Sequence, residues 1–227
     1  MSRRTPPNVP TLPVDFRRRF KVALQEVLVA DTPYQILRPA DAEALISEED
    51  FARDERLPYW AELWPSAIAL AEHVQEQPAH SRSAIELGCG VGLVSACASR
   101  AGFEVTASDY YEDALVFCRA NVEGNGGRLA QARHVDWRSL PTDLGTFPVI
   151  MAADVLYERP YGPLVAQTIH RLLARGGVAW LADPGRVAVE PFLAEVTRLG
   201  LQVSSTRRAV SVAGRSHDIM LFDLTTD

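Results

Sequence analysis

Ala84-Ile85-Glu86-Leu87-Gly88-Cys89-Gly90-Val91-Gly92 is a short apolar run that ends in three glycines, and residues 92–100 continue it as a helix of mostly small side chains stopping near Gly102. Glycine lets a backbone turn tightly and approach a ligand with no Cβ in the way. A strand passing through such a loop into a helix is the opening unit of an α/β sheet whose ligands sit beyond the carboxyl ends of the strands. The alternation then repeats. Residues 103–107 read as a strand, 111–124 as a helix closed by Gly124, 129–135 as a weak strand and 148–153 as a strong one. Residues 160–174 form a helix that stops at Gly176-Gly177, 178–182 a strand, 190–199 a helix, and 201–206 and 219–224 two closing strands. Seven strands with helices between most of the first five predict an α/β fold: a doubly wound, mostly parallel seven-stranded sheet ending in a C-terminal antiparallel hairpin.

Upstream the pattern is mixed. Residues 26–30 and 34–38 read as two short paired strands around Asp31-Thr32-Pro33. Pro65 stands at a first helical position, where its missing N–H costs nothing. Apolar residues at 67, 68, 70, 71 and 74 make 66–77 a helix lying on a core. The first 20 residues hold Pro6, Pro7, Pro10 and Pro13 without apolar periodicity, which predicts a loosely draped arm. The expected organisation is thus an N-terminal arm over 1–25, a cap with short strands and a helix over 26–80, and the sheet-bearing core over 81–227.

Composition narrows the partners. The 227 residues are 47% hydrophobic and 23% charged, ordinary for a globular chain that needs no disulfide or metal staple. Cys89, Cys97 and Cys118 are an odd set without metal-ligand spacing, so neither a disulfide framework nor a zinc site is expected. No run approaches 18 apolar residues, which excludes a membrane helix, and no apolar leader suggests secretion; a cytoplasmic location is the expectation. Residues 1–19 carry five arginines against Asp15, a local excess of +4, so the remaining 208 residues carry −10. An acidic body argues against nucleic acid as the main partner. Lys21 is the one lysine among 23 basic residues, a skew that reads as the codon bias of a GC-rich, bacterial genome.

The glycine loop decides the ligand class. A dinucleotide fingerprint needs G-x-G-x-x-G, yet the third glycine position is Leu93 counted from Gly88 and Ser95 counted from Gly90. E-x-G-x-G-x-G, with Glu86 ahead of the glycines, suits a cationic ligand. S-adenosylmethionine carries an ammonium and a sulfonium and no phosphate. Asp109, 17 residues past Gly92 at the end of the next strand, is placed to accept hydrogen bonds from ribose hydroxyls or, alternatively, to cap the helix after it. Asp136-Trp137 follows the third strand, where an adenine ring would lie; the other reading of Trp137 is a core aromatic.

Four segments together resemble the class I seven-β-strand methyltransferases, and more narrowly methyltransferase family 16, the protein-lysine methyltransferase group. They are Pro58-Tyr59-Trp60-Ala61-Glu62-Leu63-Trp64-Pro65, the run from Ile85 to Leu93, Val135-Asp136-Trp137, and Ala153-Asp154-Val155-Leu156-Tyr157 with its D-x-x-Y signature. Asp183-Pro184-Gly185-Arg186 looks like bacterial relatives of the enzyme that methylates the electron transfer flavoprotein β-subunit. The resemblance spans residues 58 to about 185 and implies a Rossmann-like fold with S-adenosylmethionine as cofactor. It implies that Gly88, Gly90 and Gly92 line the cofactor's methionine end, with Glu86 near its amino group and Trp64 against it from the N-terminal side. It also implies that Asp109 binds the ribose, Asp136 and Trp137 the adenine, and that Asp154 and Tyr157 face the incoming amine.

The expected activity is methyl transfer to a lysine side chain of a protein, with no nucleic-acid or membrane partner and a monomer as the favoured state. Asp154 and Tyr157, three apart, come together only if the strand gives way to a turn there, as Glu158-Arg159-Pro160 suggests; the bland alternative is that Asp154 caps the next helix and Tyr157 packs. Two rival functions stay open: a small-molecule N-methyltransferase of the nicotinamide type, and a non-catalytic cofactor-binding interaction domain. The five scattered histidines and Cys89 read as structural, and Arg17-Arg18-Arg19 as a solvated charge run or a contact for an acidic protein.

Overall fold

In a computed structural model, which describes residues 9–42, 45, 58–79 and 82–226, the glycine loop sits at the centre of a seven-stranded sheet. The sheet comprises β3 (Ser83–Leu87), β4 (Glu104–Asp109), β5 (Leu129–His134), β6 (Phe147–Ala153), β7 (Leu173–Asp183), β8 (Gln202–Val212) and β9 (Arg215–Thr225), in the spatial order β5-β4-β3-β6-β7-β9-β8. The first five strands run parallel; β9 pairs antiparallel with β7, and β8 with β9. The expected fold class is therefore the observed one, and each of the seven expected strands is present.

Alternation along the strands explains the two layers of helices. Ala84, Val149 and Met151 face a core shared with α2 (Pro65–Glu76), α3 (Leu93–Ala101) and α4 (Glu112–Gly124). Ile85, Leu87, Ile150 and Ala152 face the other core, under α5 (Tyr161–Leu172) and α6 (Val189–Arg198). Side chains alternate across a strand, so a sheet covered on both faces needs apolar residues at nearly every position. The buried polar exception on β3 is Glu86, which faces α3. That helix buries Leu93 through Ala98 and its small side chains allow close packing on the sheet.

Boundaries differ from expectation where long-range pairing extends a strand. β7 begins at Leu173, five residues before the expected start, because Leu173 pairs with Phe147 ahead of a register shift. The closing hairpin runs eleven residues a side, joined by Ala213-Gly214, both at positive φ as a two-residue hairpin turn requires.

The N-terminal expectations need correction. The paired strands are longer than expected: β1 (Val22–Val29) and β2 (Thr32–Pro39) turn at Ala30-Asp31, and Thr32-Pro33 belongs to the strand. Residues 1–8 lie outside the described residues, as do 43–44, 46–57 and 80–81 within or beside the expected cap. Residues 9–20, expected as a loose arm, pack on the core instead. Helix α1 (Val14–Arg19) is flanked by buried Leu12 and Phe20, and Phe20 meets Phe117 of α4 edge-on at 5.4 Å. Leu12, Phe16 and Phe20 recur every four residues, an apolar stripe that the prolines disguise. In the arginine run, Arg19 pairs with Asp113 and Arg17 donates to the Leu12 carbonyl at 3.0 Å.

The hairpin is fastened by two asparagines four apart, Asn121 on α4 and Asn125 just past its end. The Asn121 side-chain amide accepts the Leu37 N–H and donates to the Leu37 and Val91 carbonyls, each at 2.8 Å. Asn125 accepts the Gln35 N–H at 2.9 Å and returns a bond to the Gln35 carbonyl at 2.8 Å. The helix thus offers β2 the exchange of bonds a neighbouring strand would offer, and through Val91 it also ties down the glycine loop.

Candidate active site

The strand order reverses at β3, with β4 on one side and β6 on the other, and a pocket opens beyond the carboxyl ends of these strands. All ten residues singled out from sequence line it: Trp64, Glu86, Gly88, Gly90, Gly92, Asp109, Asp136, Trp137, Asp154 and Tyr157. Its floor is the glycine loop, where Gly88, Gly90 and Gly92 have φ of +68°, +50° and +85°. A Cβ on Gly90 would stand 3.1 Å from the Trp60 carbonyl oxygen, and one on Gly92 only 2.5 Å from the Cys118 sulfur. The loop therefore needs glycine both for its backbone angles and for space.

Asp109 braces that loop. One carboxylate oxygen accepts the Gly90 N–H at 2.9 Å and the other the Tyr111 N–H at 2.9 Å. The bond to Tyr111, the residue just before α4, means that the same carboxylate also holds the start of that helix. Burial pushes the Asp109 carboxyl up, against the opposing pull of these N–H donors. Glu86 is 2% exposed and accepts the Ser95 hydroxyl. Burial pushes its carboxyl up to about 8, which favours the protonated form near neutral pH. Cys89 is buried and its thiol is likewise held well above its usual value, chiefly by burial, so it offers no thiolate.

Asp154 leaves β6 at φ +58°, a left-handed conformation rare for a residue with a side chain, and its N–H donates to the Ala182 carbonyl at 2.9 Å. The turn expected from residues 158–160 exists, and both Asp154 and Tyr157 reach the pocket. One Asp154 oxygen accepts the Ser66 hydroxyl at 2.9 Å and the other an Arg186 guanidinium N–H. After β5, Asp136 is paired with Arg138 at 2.8 Å, and half-buried Trp137 packs against Gly88 and Tyr161, lining the pocket while its other side packs on the core under α5 and α6.

Sequence reasoning missed the aromatic rim. Tyr59 meets Trp64 at 6.0 Å and Tyr157 at 5.1 Å; Tyr157 meets Tyr161 at 4.9 Å; Tyr161 meets Trp137 at 6.0 Å. Tyr59 lies inside the segment that ends in Trp64-Pro65, whereas Tyr161 follows Tyr157 by four residues, the one local signal that the two rings share a side. Among the described residues lining the pocket are five carboxyl side chains, Glu62, Glu86, Asp109, Asp136 and Asp154, and no lysine, arginine or histidine. Such a wall suits a ligand that is cationic and carries hydroxyls, and it offers a diphosphate no cation.

Comparison with known proteins agrees with this chemistry. A family model described as lysine methyltransferase matches residues 50–193. The chain is 32% identical over 139 residues to EEF1A lysine methyltransferase 3 of Mus musculus, covering 58% of each chain. It is 29% identical over 141 residues to the electron transfer flavoprotein beta subunit lysine methyltransferase of Danio rerio, covering 59% of this chain and 52% of that one. The match thus spans little more than half the length of these relatives. Among solved structures, the N-methyltransferase NodS from Bradyrhizobium japonicum, in complex with S-adenosyl-L-homocysteine, superposes with a TM-score of 0.56 at 16% identity, over 78% of this chain and 94% of that one. This likeness establishes the shared fold.

Proposed function

The chain belongs to the lysine methyltransferase family, and on that premise we propose that it transfers a methyl group from S-adenosylmethionine to the side-chain amine of a lysine in a protein. The observation that carries the reading is that every charged side chain among the described residues lining the pocket at the switch point of the sheet is a carboxylic acid. When bound, the cofactor supplies an electrophilic methyl carbon: the amine's lone pair forms the C–N bond as the C–S bond breaks, the pair stays on sulfur as a thioether, and one proton passes to solvent.

The residues divide the work by position. Gly88, Gly90 and Gly92 admit the methionine end, with Glu86 beneath it, and an arriving ammonium draws Glu86 into its ionised form. Asp109, fixed by two backbone N–H groups, offers its remaining lone pairs to ribose hydroxyls. Trp137, with Val135 and Val155 nearby, walls the adenine, and Asp136 lies beside it. Asp154 and Tyr157 stand at the acceptor end, and Trp64, from the N-terminal part of the chain, would lie against the cofactor.

A lysine amine in water, which titrates near pH ~10.4, is neutral in only about one molecule in 2,500 near pH 7, a cost of about 4.6 kcal/mol. In-line displacement needs little beyond alignment, so the site's task is to strip water from the amine, dock it and let its proton go. The faces of Tyr59, Tyr157 and Tyr161 suit an alkylammonium before and after methylation.

The reading is tested by incubating the purified chain with tritiated S-adenosylmethionine and a cell lysate, then separating macromolecules from small molecules. Label should appear in protein, survive as methyl-lysine after acid hydrolysis, and vanish with Asp154→Asn. Label confined to small molecules would favour a metabolite acceptor, and no transferred label would refute the activity.

A further inference from the structure

Asp154 is held in an arrangement that the proposed function does not by itself require. Its side chain is 3% exposed, and both oxygens are engaged, one by Ser66 of α2 and one by Arg186. Arg186 belongs to the loop after β7, and its side chain, 30% exposed, reaches Asp154 from there. Its guanidinium also lies over the Trp64 ring, 5.0 Å from the centroid. The loop that presents it is anchored: one Asp183 oxygen accepts the N–H groups of Gly185 and Arg186, each at 2.7 Å. Asp183 itself is fully buried, its second oxygen has no hydrogen-bond partner among the described residues, and burial raises its carboxyl above the usual range. Arg186 is therefore fixed at both ends, by the backbone at its root and by Asp154 and Trp64 at its tip.

A bare carboxylate facing the acceptor would attract an ammonium but raise its pKa, opposing the proton loss that methyl transfer needs. We infer that Arg186 is the permanent counter-ion of Asp154, a positioning residue that makes the acceptor end of the pocket accept a hydrogen bond from the amine without holding it as an ammonium. The inference rests on the methyltransferase reading above. The other titratable groups on the elements around Asp154 are Asp183, Glu86, Glu62 and Tyr157, Glu72, His73 and Glu76 on α2, and Glu158 and Arg159 in the turn that follows. His73 is engaged by Asp223 and Arg159 by Glu190, so Arg186 is the cation paired with Asp154 among the described residues. Pairing also explains why a carboxylate can stay so deeply buried, since removing one partner of a buried pair leaves an uncompensated charge.

The pair can be tested without knowing the protein substrate, because the two forms of the cofactor differ by one positive charge at sulfur. Calorimetry at pH 8 gives the dissociation constants of S-adenosylmethionine and S-adenosylhomocysteine. Arg186→Gln exposes the Asp154 charge and should favour the sulfonium form over the thioether by on the order of tenfold relative to the unaltered chain. Asp154→Asn leaves Arg186 bare and should shift the ratio by a similar factor the other way. Arg186→Lys and the double variant Asp154→Asn with Arg186→Gln should both return to within a fewfold of the unaltered ratio. A purely structural Arg186 would weaken both ligands equally, and an unmoved ratio in Arg186→Gln would overturn the inference. Should Arg186→Gln fail to fold, Asp154→Asn decides, and an unchanged ratio there overturns it as well. Binding of neither ligand to the unaltered chain is a separate result, which refutes the function itself.

Discussion

Replacing Glu86 by glutamine gives a pH-dependent change in stability that can be worked from the site. In the folded chain the carboxyl is raised from 4.5 to about 8 by burial under α3, whereas the unfolded chain exposes it to water. The folded state holds a proton that the unfolded state gives up. Stability from this group is therefore fully present below pH 4.5, falls as pH rises, and levels off once pH has passed through the folded value near 8. At about 1.36 kcal/mol per unit, the loss between pH 5 and pH 8 is about 3–4 kcal/mol. Glutamine keeps an oxygen for the Ser95 hydroxyl and cannot ionise, so Glu86→Gln lacks this loss. Urea denaturation of both chains at pH 5, 6, 7 and 8 should show the unaltered protein falling relative to the variant by that amount. Saturating S-adenosylmethionine should blunt the fall, because its ammonium gives the ionised carboxylate a partner. Parallel curves for the two chains would refute the assignment of Glu86 as a desolvated acid.

Other expectations follow from the packing. Gly92→Ala forces a Cβ to 2.8 Å from the Cys118 Cα and 2.5 Å from its sulfur at positive φ, and should cost about 3 kcal/mol in chemical denaturation and abolish cofactor binding. Gly214→Ala, also at positive φ but with open space around the added carbon, should cost only about 1 kcal/mol in the same assay. Asn121→Ala strands the Leu37 N–H and the Leu37 and Val91 carbonyls, and should cost about 3 kcal/mol while weakening cofactor affinity through the loop. Arg208→Ala, which removes partly exposed pairs to Glu72 and Glu76 between β8 and α2, should cost under about 1 kcal/mol, shrinking further in high salt.

What the sequence makes legible is what local patterns encode. The strand-to-glycine-to-helix unit at 84–100 and the alternation after it specify the sheet; the glycines, Asp109, Asp136, Trp137 and Asp154 lie at or just past strand ends, so knowing the fold places them at the pocket, whereas Trp64 comes from the start of α2. What stays hidden is pairing across long separations. Asp154 and Arg186 lie 32 residues apart and Asn121 and Leu37 84 apart, and no periodicity marks either pair. The N-terminal segment departs from expectation for a different reason: its four prolines obscure the spacing of Leu12, Phe16 and Phe20, and the aromatic contacts with Phe117 and Trp60 decide its place. Asp136 is legible at its strand end, but its pairing with Arg138, two positions on, depends on a turn that no local pattern announces.

The central claim is that the acidic pocket receives a sulfonium nucleoside and no dinucleotide. Titration calorimetry of the purified chain with S-adenosylhomocysteine and with NAD tests it most directly. The account predicts one equivalent of S-adenosylhomocysteine bound, none bound after Asp109→Ala, and no heat with NAD; binding of NAD, or silence with S-adenosylhomocysteine, would contradict it.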